Sequence, residues 1–426
     1  MLETESTEVQ LASTVVAPAT ATHSRRRWAI LALLFLVALI NYFDRQSLSV
    51  VAPRFQAEFS ISDTGYGHIV SLFLFASTIA YALSGFVSDA LGTRWSMALF
   101  VGGWSLAEAA TAIVRSVFQL GTARFFLGLG EPGLWVAAPK AVGEAFPPRE
   151  RSLAVGIYTM GATVGAVIAI PAISVITFHW PWKSIFLLDG LAGLLWIPLW
   201  LLLFPRRSAA ATLTASQKSG VLREVLSRGK TWRLLIARAL TDPLWYFYLF
   251  WFPKYLLSAR HLSVPALAHI GWTVYLAAGV GTLLGGLFSG HLIRRGLRPS
   301  IAYRRTMLCA AVLIPISPLA ALVPSATLAV AIACLMAFAH MAWLVNLTAT
   351  IVDLFPSHQV GKAAGLIAAG SGFGGMISSE LIAHAVTHAG YTPVFFAMAL
   401  LHPIAIALLW PAFLDTAEPQ PTLSVA

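Results

Sequence analysis

The chain has 426 residues, of which 58% are hydrophobic and only 11% are charged, and its formal net charge is +10. A soluble domain is about 25% charged, so this composition excludes an ordinary soluble protein and indicates one that lies largely within a membrane. The positive charge does not indicate nucleic acid, because the basic residues are spread over the connections between apolar stretches. The only two cysteines, Cys309 and Cys334, lie in apolar stretches, which excludes a disulfide framework or a Cys-rich metal site.

Twelve apolar stretches of about 20 residues are each long enough to span a bilayer as a helix. They do not alternate in polarity as barrel strands do, so helices, which satisfy their own backbone hydrogen bonds, are predicted. The predicted fold is an all-α membrane protein with 12 transmembrane helices in two six-helix bundles. The stretches lie near residues 28–48, 65–88, 95–115, 118–140, 152–178, 184–204, 233–257, 265–292, 301–322, 325–350, 361–387 and 391–414.

Most of the 28 Lys and Arg residues fall on one side of this arrangement, the side that also holds both ends of the chain. This positive-inside asymmetry predicts that both termini are cytoplasmic. The longest polar connection separates six stretches from six, which suggests an internal duplication with the site between the halves. The predicted organisation is a disordered cytoplasmic tail at 1–27, a first bundle at 28–204, a central cytoplasmic loop at 205–232, a second bundle at 233–414 and a tail at 415–426.

Four charged residues in the first third of the chain fall inside predicted membrane helices: Asp44, Arg45, Arg124 and Glu131. A charge at the bilayer centre costs about 2.5–3.5 kcal/mol on insertion scales. Such residues usually face a watery cavity or each other, and they handle ions, protons or charged substrates. The sequence therefore predicts a functional site in the first half.

The connection after the second stretch reads Gly85-Phe-Val-Ser-Asp89-Ala-Leu-Gly92-Thr-Arg94. Gly85 permits close helix packing, and Asp89 is suited to a neighbouring helix N-terminus, whose partial positive charge favours a carboxylate. With Arg94 pairing across the turn, this loop is predicted to form a charge contact that closes the cytoplasmic face. An ordinary tight turn with solvated charges is the alternative.

This Gly-x-x-x-Asp-x-x-Gly-x-Arg pattern, in a chain of six plus six helices, resembles the signature loop of the major facilitator superfamily. Other segments resemble its anion:cation symporter family, in particular the bacterial hexuronate and aldonate transporters, and the resemblance runs from about residue 27 to 414. Gly290 and Lys183 depart from the family pattern. The matching segments are 41–50, 123–132, 180–186, 242–255 and 353–361.

The resemblance implies a proton-coupled symporter that imports a sugar acid such as glucuronate or galacturonate by alternating access. It further implies a multi-pass protein of the inner membrane that works as a monomer without cofactor or metal. Two alternatives remain: a transporter of the same fold for another organic anion (an aldonate, an aromatic or a dicarboxylic acid), and an exporter. An enzyme is not expected, because no zinc-type His-Glu-x-x-His and no Gly-x-Ser-x-Gly occurs.

The resemblance places Arg45 in the central pocket, where a guanidinium offers two parallel donors to a substrate carboxylate. The alternative is a structural ion pair with Asp44 or Glu131. Arg124 is assigned to the same pocket, with switching between Asp44 and Glu131 favoured over direct substrate contact. Burial favours a neutral carboxyl and an adjacent arginine favours the charged one, so Asp44 and Glu131 are the predicted proton carriers. A static buried salt bridge is the alternative.

Four further residues are predicted to contact substrate: Tyr42, Trp245, Trp343 and Asn346. For the last two the alternative is that Asn346 joins two helices and Trp343 faces lipid. Glu108 and Glu380 are charges without an assigned role. Arg238 and Asp242, spaced i,i+4, are interpreted as a structural pair, and His340 and His402 as satisfied polar groups.

Small residues recur at corresponding positions of the two halves, around Gly161 and Gly165 and around Gly370 and Gly374. Such faces permit close helix contact. They are either surfaces along which the halves slide or sites of static packing.

Overall fold

The structure is a computed structural model that describes residues 24–146, 148–205, 223–355 and 357–414. Within these ranges every regular element is helical, so the all-helical prediction is confirmed. Nine helical segments in this part of the chain are long and apolar enough to cross a membrane. The count of twelve membrane helices and the cytoplasmic termini stay predictions. Residues 1–23 of the predicted first tail, 206–222 of the central loop and the predicted tail at 415–426 lie outside the described residues, whereas residues 24–27 belong to the first helix.

The helices of the first half differ from the predicted stretches in two places. The second and third stretches form one continuous element that bends at Gly92, whose φ of 71° favours glycine. The fourth stretch is divided at Glu131, directly before Pro132, which has no N–H to continue the hydrogen-bond ladder. In chain order the helices are α1 (Ser24–Phe59), α2 (Asp63–Thr111), α3 (Val117–Gly130), α4 (Pro132–Ala145), α5 (Pro148–His179) and α6 (Ser184–Leu203).

In the second half, a π-helical turn at Phe247–Trp251 interrupts the stretch predicted at 233–257. Such wide turns recur at functional sites, and Pro253 follows this one directly. The helices are α7 (Gly229–Tyr246), α8 (Phe252–Ser258), α9 (Val264–Ile270), α10 (Thr273–Arg294), α11 (Pro299–Leu313), α12 (Leu319–Leu322), α13 (Ala326–Leu354), α14 (Ser357–Ala389) and α15 (Thr392–Leu414).

Glycines bring equivalent helix pairs together in the two halves. A Cβ at Gly165 of α5 would lie 2.3 Å from the Leu39 oxygen of α1, and one at Gly374 of α14 would lie 2.0 Å from the Ala239 oxygen of α7. Both contacts are closer than real Cβ atoms approach, so only glycine permits them. These faces pack within each half, as the static alternative requires, and the correspondence supports an internal duplication.

The two halves meet along α2 and α14. Their polar contacts begin where α1 ends and α2 starts, an end of the molecule called here the Asp63 face. A Cβ at Gly372 would lie 2.3 Å from Thr78 Oγ1, so the contact continues to the middle of α2. The halves are closed against each other on this face by hydrogen bonds from Lys254 Nζ to Asp63, between Thr64 and Thr387, and from Ser71 to the Met376 oxygen.

Candidate functional site

Arg45 of α1 and Glu131, at the break between α3 and α4, form a buried ion pair. Arg45 Nε donates to Glu131 Oε2 over 2.6 Å, and Glu131 is fully buried. The guanidinium lies 5.3 Å from the ring centroid of Tyr42 and 5.9 Å from that of Phe73, in favourable cation–π contacts. Among the described residues, none of the other N–H groups of Arg45 has a hydrogen-bond partner, so they remain available to a ligand.

Arg124 of α3 forms a second buried ion pair, with Glu108 of α2. Its Nη2 donates to Glu108 Oε2 over 2.6 Å and to Thr111 Oγ1 over 2.7 Å, and its guanidinium lies 5.2 Å from the Phe186 ring centroid. The partner of Arg124 in this conformation is therefore Glu108, the acid that the sequence left without a role. That Arg124 switches between Asp44 and Glu131 stays a prediction.

Asp44 of α1 lies in a cluster of three buried carboxyl groups with Glu108 and Asp189 of α6. One oxygen from each lies within 4.8 Å of the others. Both oxygens of Asp44 lack a hydrogen-bond partner in the described part of the chain, although the residue is only 1% exposed. No metal site and no role for Asp189 are predicted above, yet an acid in the apolar run Ile185-Phe-Leu-Leu-Asp189 carries the same signal as Asp44.

The close approach of α6 to α2 brings these acids together. A Cβ at Gly190 would lie 2.6 Å from the Ala109 nitrogen, and a Cβ at Gly193 would lie 2.0 Å from Ser105 Oγ. Any larger residue at either position would push the two helices apart. Asp189 is thereby held against the turn of α2 that carries Glu108.

Asp44, Arg45 and Arg124 also line one small cavity, which Phe250 from the second half closes. The Tyr66 hydroxyl of α2 donates to the Phe250 oxygen, so the π-helical turn of the second half is bonded directly to the first half. The two buried ion pairs therefore lie next to the junction at which a rocking motion of the halves would act.

Tyr42 and Trp245 approach this junction from opposite halves. The Tyr42 ring makes an edge contact with Trp135 at 6.0 Å, and the Trp245 indole lies near the Tyr42 hydroxyl. Trp245 stacks on His340 with an interplanar angle of 7° and is only 7% exposed. The structure thus brings these two predicted contact residues together beside Arg45.

Trp343 and Asn346 of α13 lie elsewhere, inside the second half. The Asn346 amide donates to the Gly285 oxygen over 3.2 Å and so joins α13 to α10. The fully buried Trp343 ring contacts His402 at 5.2 Å. Asn346 therefore joins two helices, which agrees with the alternative interpretation. Trp343 packs in the interior and does not face lipid, which differs from it. Their contact with substrate stays a prediction.

The loop that carries Gly85, Asp89, Gly92 and Arg94 connects the two parts of α2. A Cβ at Gly85 would meet none of the described atoms within contact distance, so the predicted close helix packing is not seen among the described residues, and the side chain of Asp89 lies outside them. Arg94 Nη1 donates to the Phe204 oxygen after α6, and Gly92 forms the bend. The described contacts fix the loop to its own half, and its role as a gate stays a prediction.

Two polar pairs lie inside the second half. Arg238 Nε donates to Asp242 Oδ2 over 2.8 Å, which confirms the predicted i,i+4 pair. His340 Nδ1 and His402 Nε2 lie 3.1 Å apart. Glu380, by contrast, contacts His68 of α2 at 2.7 Å across the junction of the halves.

The site is thus a group of charges in the dry interior of a helical bundle rather than a reaction centre. Its two arginines are bound to glutamates and each keeps further N–H donors without a partner, and two aspartates have no cationic partner in the described part of the chain. Buried ionisable groups of this kind mark ion, proton or charged-substrate pathways in membrane proteins.

The hexuronate transporter of Escherichia coli K12 is similar to this chain, with 25% identity over 419 residues that cover 94% of this chain and 96% of the relative. The D-galactonate transporter of Escherichia coli O6:H1 is 27% identical over 413 residues, covering 90% and 94%. A crystal structure of the D-xylose–proton symporter shares the fold, with a TM-score of 0.69 and 16% identity, covering 90% of this chain and 97% of the other.

The sequence profile of the Major Facilitator Superfamily matches residues 34–303 and 300–425. The match covers nearly all of the described helices and agrees with the resemblance carried by the loop at 85–94. Together with the relatives it identifies a multi-pass membrane transporter rather than an enzyme. The chain belongs to the Major Facilitator Superfamily.

Proposed function

We propose that this transporter is a symporter that imports a monocarboxylate sugar acid, such as glucuronate or galacturonate, together with protons. It works by alternating access as a monomer in the inner membrane, with both termini in the cytoplasm and twelve membrane helices. Protons are the coupling ions, and no cofactor is required for this cycle.

The observation that carries the proposal is the state of Arg45. Its Nε is bonded to Glu131 while its other donors have no partner among the described residues, at the junction of the halves. A planar guanidinium with free parallel donors is suited to a carboxylate. The aromatic rings of Tyr42 and Trp245 nearby offer flat surfaces and polar edges to a sugar ring. Sugar-acid transport by the similar proteins supports the same assignment.

The Arg45–Glu131 pair supplies a mechanism for proton coupling. A substrate carboxylate that bonds to Arg45 competes with Glu131 for the same guanidinium. Glu131 then loses its positive partner in a fully buried place, where the neutral acid is favoured, and it takes up a proton. Anion and proton together leave the pocket neutral, which permits the occluded state. When the substrate leaves, Arg45 returns to Glu131 and the proton is released.

The conformation of the molecule fits one stage of this cycle. The halves are closed on the Asp63 face, where Lys254 of α8 donates to Asp63 of α2. With the termini in the cytoplasm, α1 runs outward and the Asp63 face is the outer one. The structure then has a closed outer side, as the cycle requires while substrate is occluded or released into the cell.

The test is uptake of labelled glucuronate, galacturonate and galactonate into proteoliposomes, with and without an inward proton gradient. We expect one of these acids to accumulate only with the gradient. Glu131→Gln should retain exchange of labelled for unlabelled substrate but lose gradient-driven accumulation. Glu58→Gln is the matched control, because Glu58 is a surface acid bonded to Lys183 and is 42% exposed in its side chain.

Absence of uptake of all three acids by correctly folded wild type would reject the sugar-acid assignment. Equal accumulation by wild type and Glu131→Gln would reject Glu131 as the proton carrier. Outward transport against a gradient would favour the exporter of the same fold.

A second candidate, a dicarboxylic sugar acid, is favoured by one observation. Arg238 of α7 interacts with Tyr81 and Tyr246, the same tyrosines that interact with Arg45, so one arginine from each half faces this region. A substrate with a carboxylate at each end would use both. Competition of galactarate with galacturonate distinguishes the candidates: for a dicarboxylate transporter galactarate competes better, and Arg238→Lys weakens it selectively.

A further inference from the structure

The most unusual feature of the first half is its excess of buried acid. Asp44, Glu108 and Asp189 come from three different helices and are 1%, 0% and 7% exposed. Carboxylates are almost never this deeply buried without a partner, because an ionised group is strongly destabilised away from water. The cluster therefore requires neutralisation, either by protons or by a positively charged partner.

The arginines of the first half do not supply enough of it. Arg45 is bonded to Glu131, and Arg124 is bonded to Glu108. Both oxygens of Asp44 and the Oδ2 atom of Asp189 have no donor among the described residues. When all three carboxyl groups are ionised, one arginine leaves two negative charges, both of them on the aspartates.

We propose that Asp44, Glu108 and Asp189 form a binding site for one small hard metal cation of the Na⁺ type, which exchanges there with protons. Hard cations take oxygen ligands, and carboxylates are preferred among them. Oxygens on opposite sides of such an ion lie about 4–5 Å apart, since each metal–oxygen bond is about 2.0–2.6 Å. The observed limit of 4.8 Å between the three carboxyl oxygens fits this geometry.

A neutral oxygen is available beside the acids. Ser105 Oγ is buried without a hydrogen-bond partner in the described part of the chain, one helical turn before Glu108. It lies against Gly193, one turn after Asp189. The same glycine contact that brings α6 to α2 thus leaves an unpaired hydroxyl oxygen one helical turn from Glu108 and from Asp189.

Protons compete with the metal at this site, because the aspartates without a donor are neutral only when protonated. The titratable and charged groups that face the cluster are Asp44 and Arg45 from α1, Glu108 from α2, Arg124 from α3, Glu131 after it, and Asp189 from α6. A role of the cation as a second coupling ion rests on the proposed function. The existence of the binding site does not depend on that function.

Purified full-length protein in detergent provides the test, with NaCl exchanged for choline chloride at constant ionic strength. At pH 8.5 we expect Na⁺ at ten times its dissociation constant to raise the unfolding midpoint by about 3 °C. Na⁺ should also release protons into a weakly buffered solution, read with a pH-sensitive dye. At pH 5.5, where protons hold the site, the midpoint shift should be lost. Li⁺, Mg²⁺ and Ca²⁺ arms identify which hard cation binds.

Asp189→Asn, which preserves shape and removes one charge, should abolish both responses, and Glu108→Gln provides a second variant if the first does not fold. Asp242→Asn is the matched control, because it removes a buried carboxylate paired with an arginine in the second half. It should keep the response to Na⁺.

No difference between choline and any of the four cations at pH 8.5, or equal responses of wild type and Asp189→Asn, would overturn the site. Sugar-acid uptake without any cation response would reject this site and leave the proposed function intact. A cation response without uptake of any sugar acid would support this site and reject the proposed function.

Discussion

The two halves share a helix arrangement but differ in their buried polar side chains. In the first half two arginines and four acids lie buried in one region, with two ion pairs of 2.6 Å. In the described interior of the second half, one ion pair, Arg238–Asp242, lies among buried tryptophans and a histidine pair. Since the glycine contacts of α5 on α1 and of α14 on α7 correspond, the difference lies in the side chains and not in the helix arrangement. We infer that the first half binds and couples ions while the second half supplies shape.

The largest expected effect comes from neutralising the ion pair of the first half. Arg45→Gln leaves Glu131 buried and unpaired, which should cost about 3–5 kcal/mol of stability and lower uptake at least about 100-fold. Arg45→Gln combined with Glu131→Gln should recover most of the stability but none of the transport. Unfolding in detergent and proteoliposome uptake measure the two effects separately.

The control for this prediction is the double variant Arg238→Gln/Asp242→Asn, which neutralises the pair of the second half. For a monocarboxylate it should keep uptake within about tenfold of wild type. If both double variants abolish uptake equally, the division of roles between the halves is wrong.

The next effect concerns the shared scaffold. Gly165→Ala and Gly374→Ala introduce a Cβ 2.3 Å and 2.0 Å from backbone oxygens of the neighbouring helix. Each should destabilise the protein by about 1–3 kcal/mol, because the helices must separate. Gly103→Ala, at a helical position with open space, should be neutral or stabilise by up to about 1 kcal/mol. A tolerated alanine in one half alone would show that the two scaffolds are not equivalent.

A smaller effect is expected at the Asp63 face, where the two halves meet. Lys254→Met removes the ion pair with Asp63, whose side chain is 31% exposed, so the loss should be about 1 kcal/mol, or fivefold in the population of open molecules. The reaction of Thr64→Cys with a membrane-impermeant thiol reagent, after replacement of Cys309 and Cys334, reports this opening. An unchanged labelling rate would mean that packing, and not the ion pair, closes this face.

The sequence predicts where apolar helices lie and which charged residues fall inside them. It does not predict which partner each of these charged residues has. Hydropathy indicated α6 almost to the residue, at 184–204 against Ser184–Leu203. It also placed Glu131 beside a proline, where the structure divides the helix. Local patterns could not show that Glu108 and Asp189, 81 residues apart in sequence, share a site. Whether these two acids lie together depends on which helix faces are in contact. Gly190 and Gly193 permit the close contact, but only after α2 and α6 have become neighbours in the fold.

The smallest effect is expected at Asn346, and it decides whether the second half contributes more than shape. The Asn346 amide donates to the Ala342 and Gly285 oxygens inside the bundle, and the residue is 1% exposed. Asn346→Leu keeps the volume and removes one interhelical hydrogen bond, so it should cost about 1 kcal/mol of stability. KM for the sugar acid should stay within about twofold, because no substrate contact is lost in a purely structural role. A KM raised tenfold or more at unchanged stability would instead place Asn346 in the pocket, which requires α13 to turn toward the junction during the cycle.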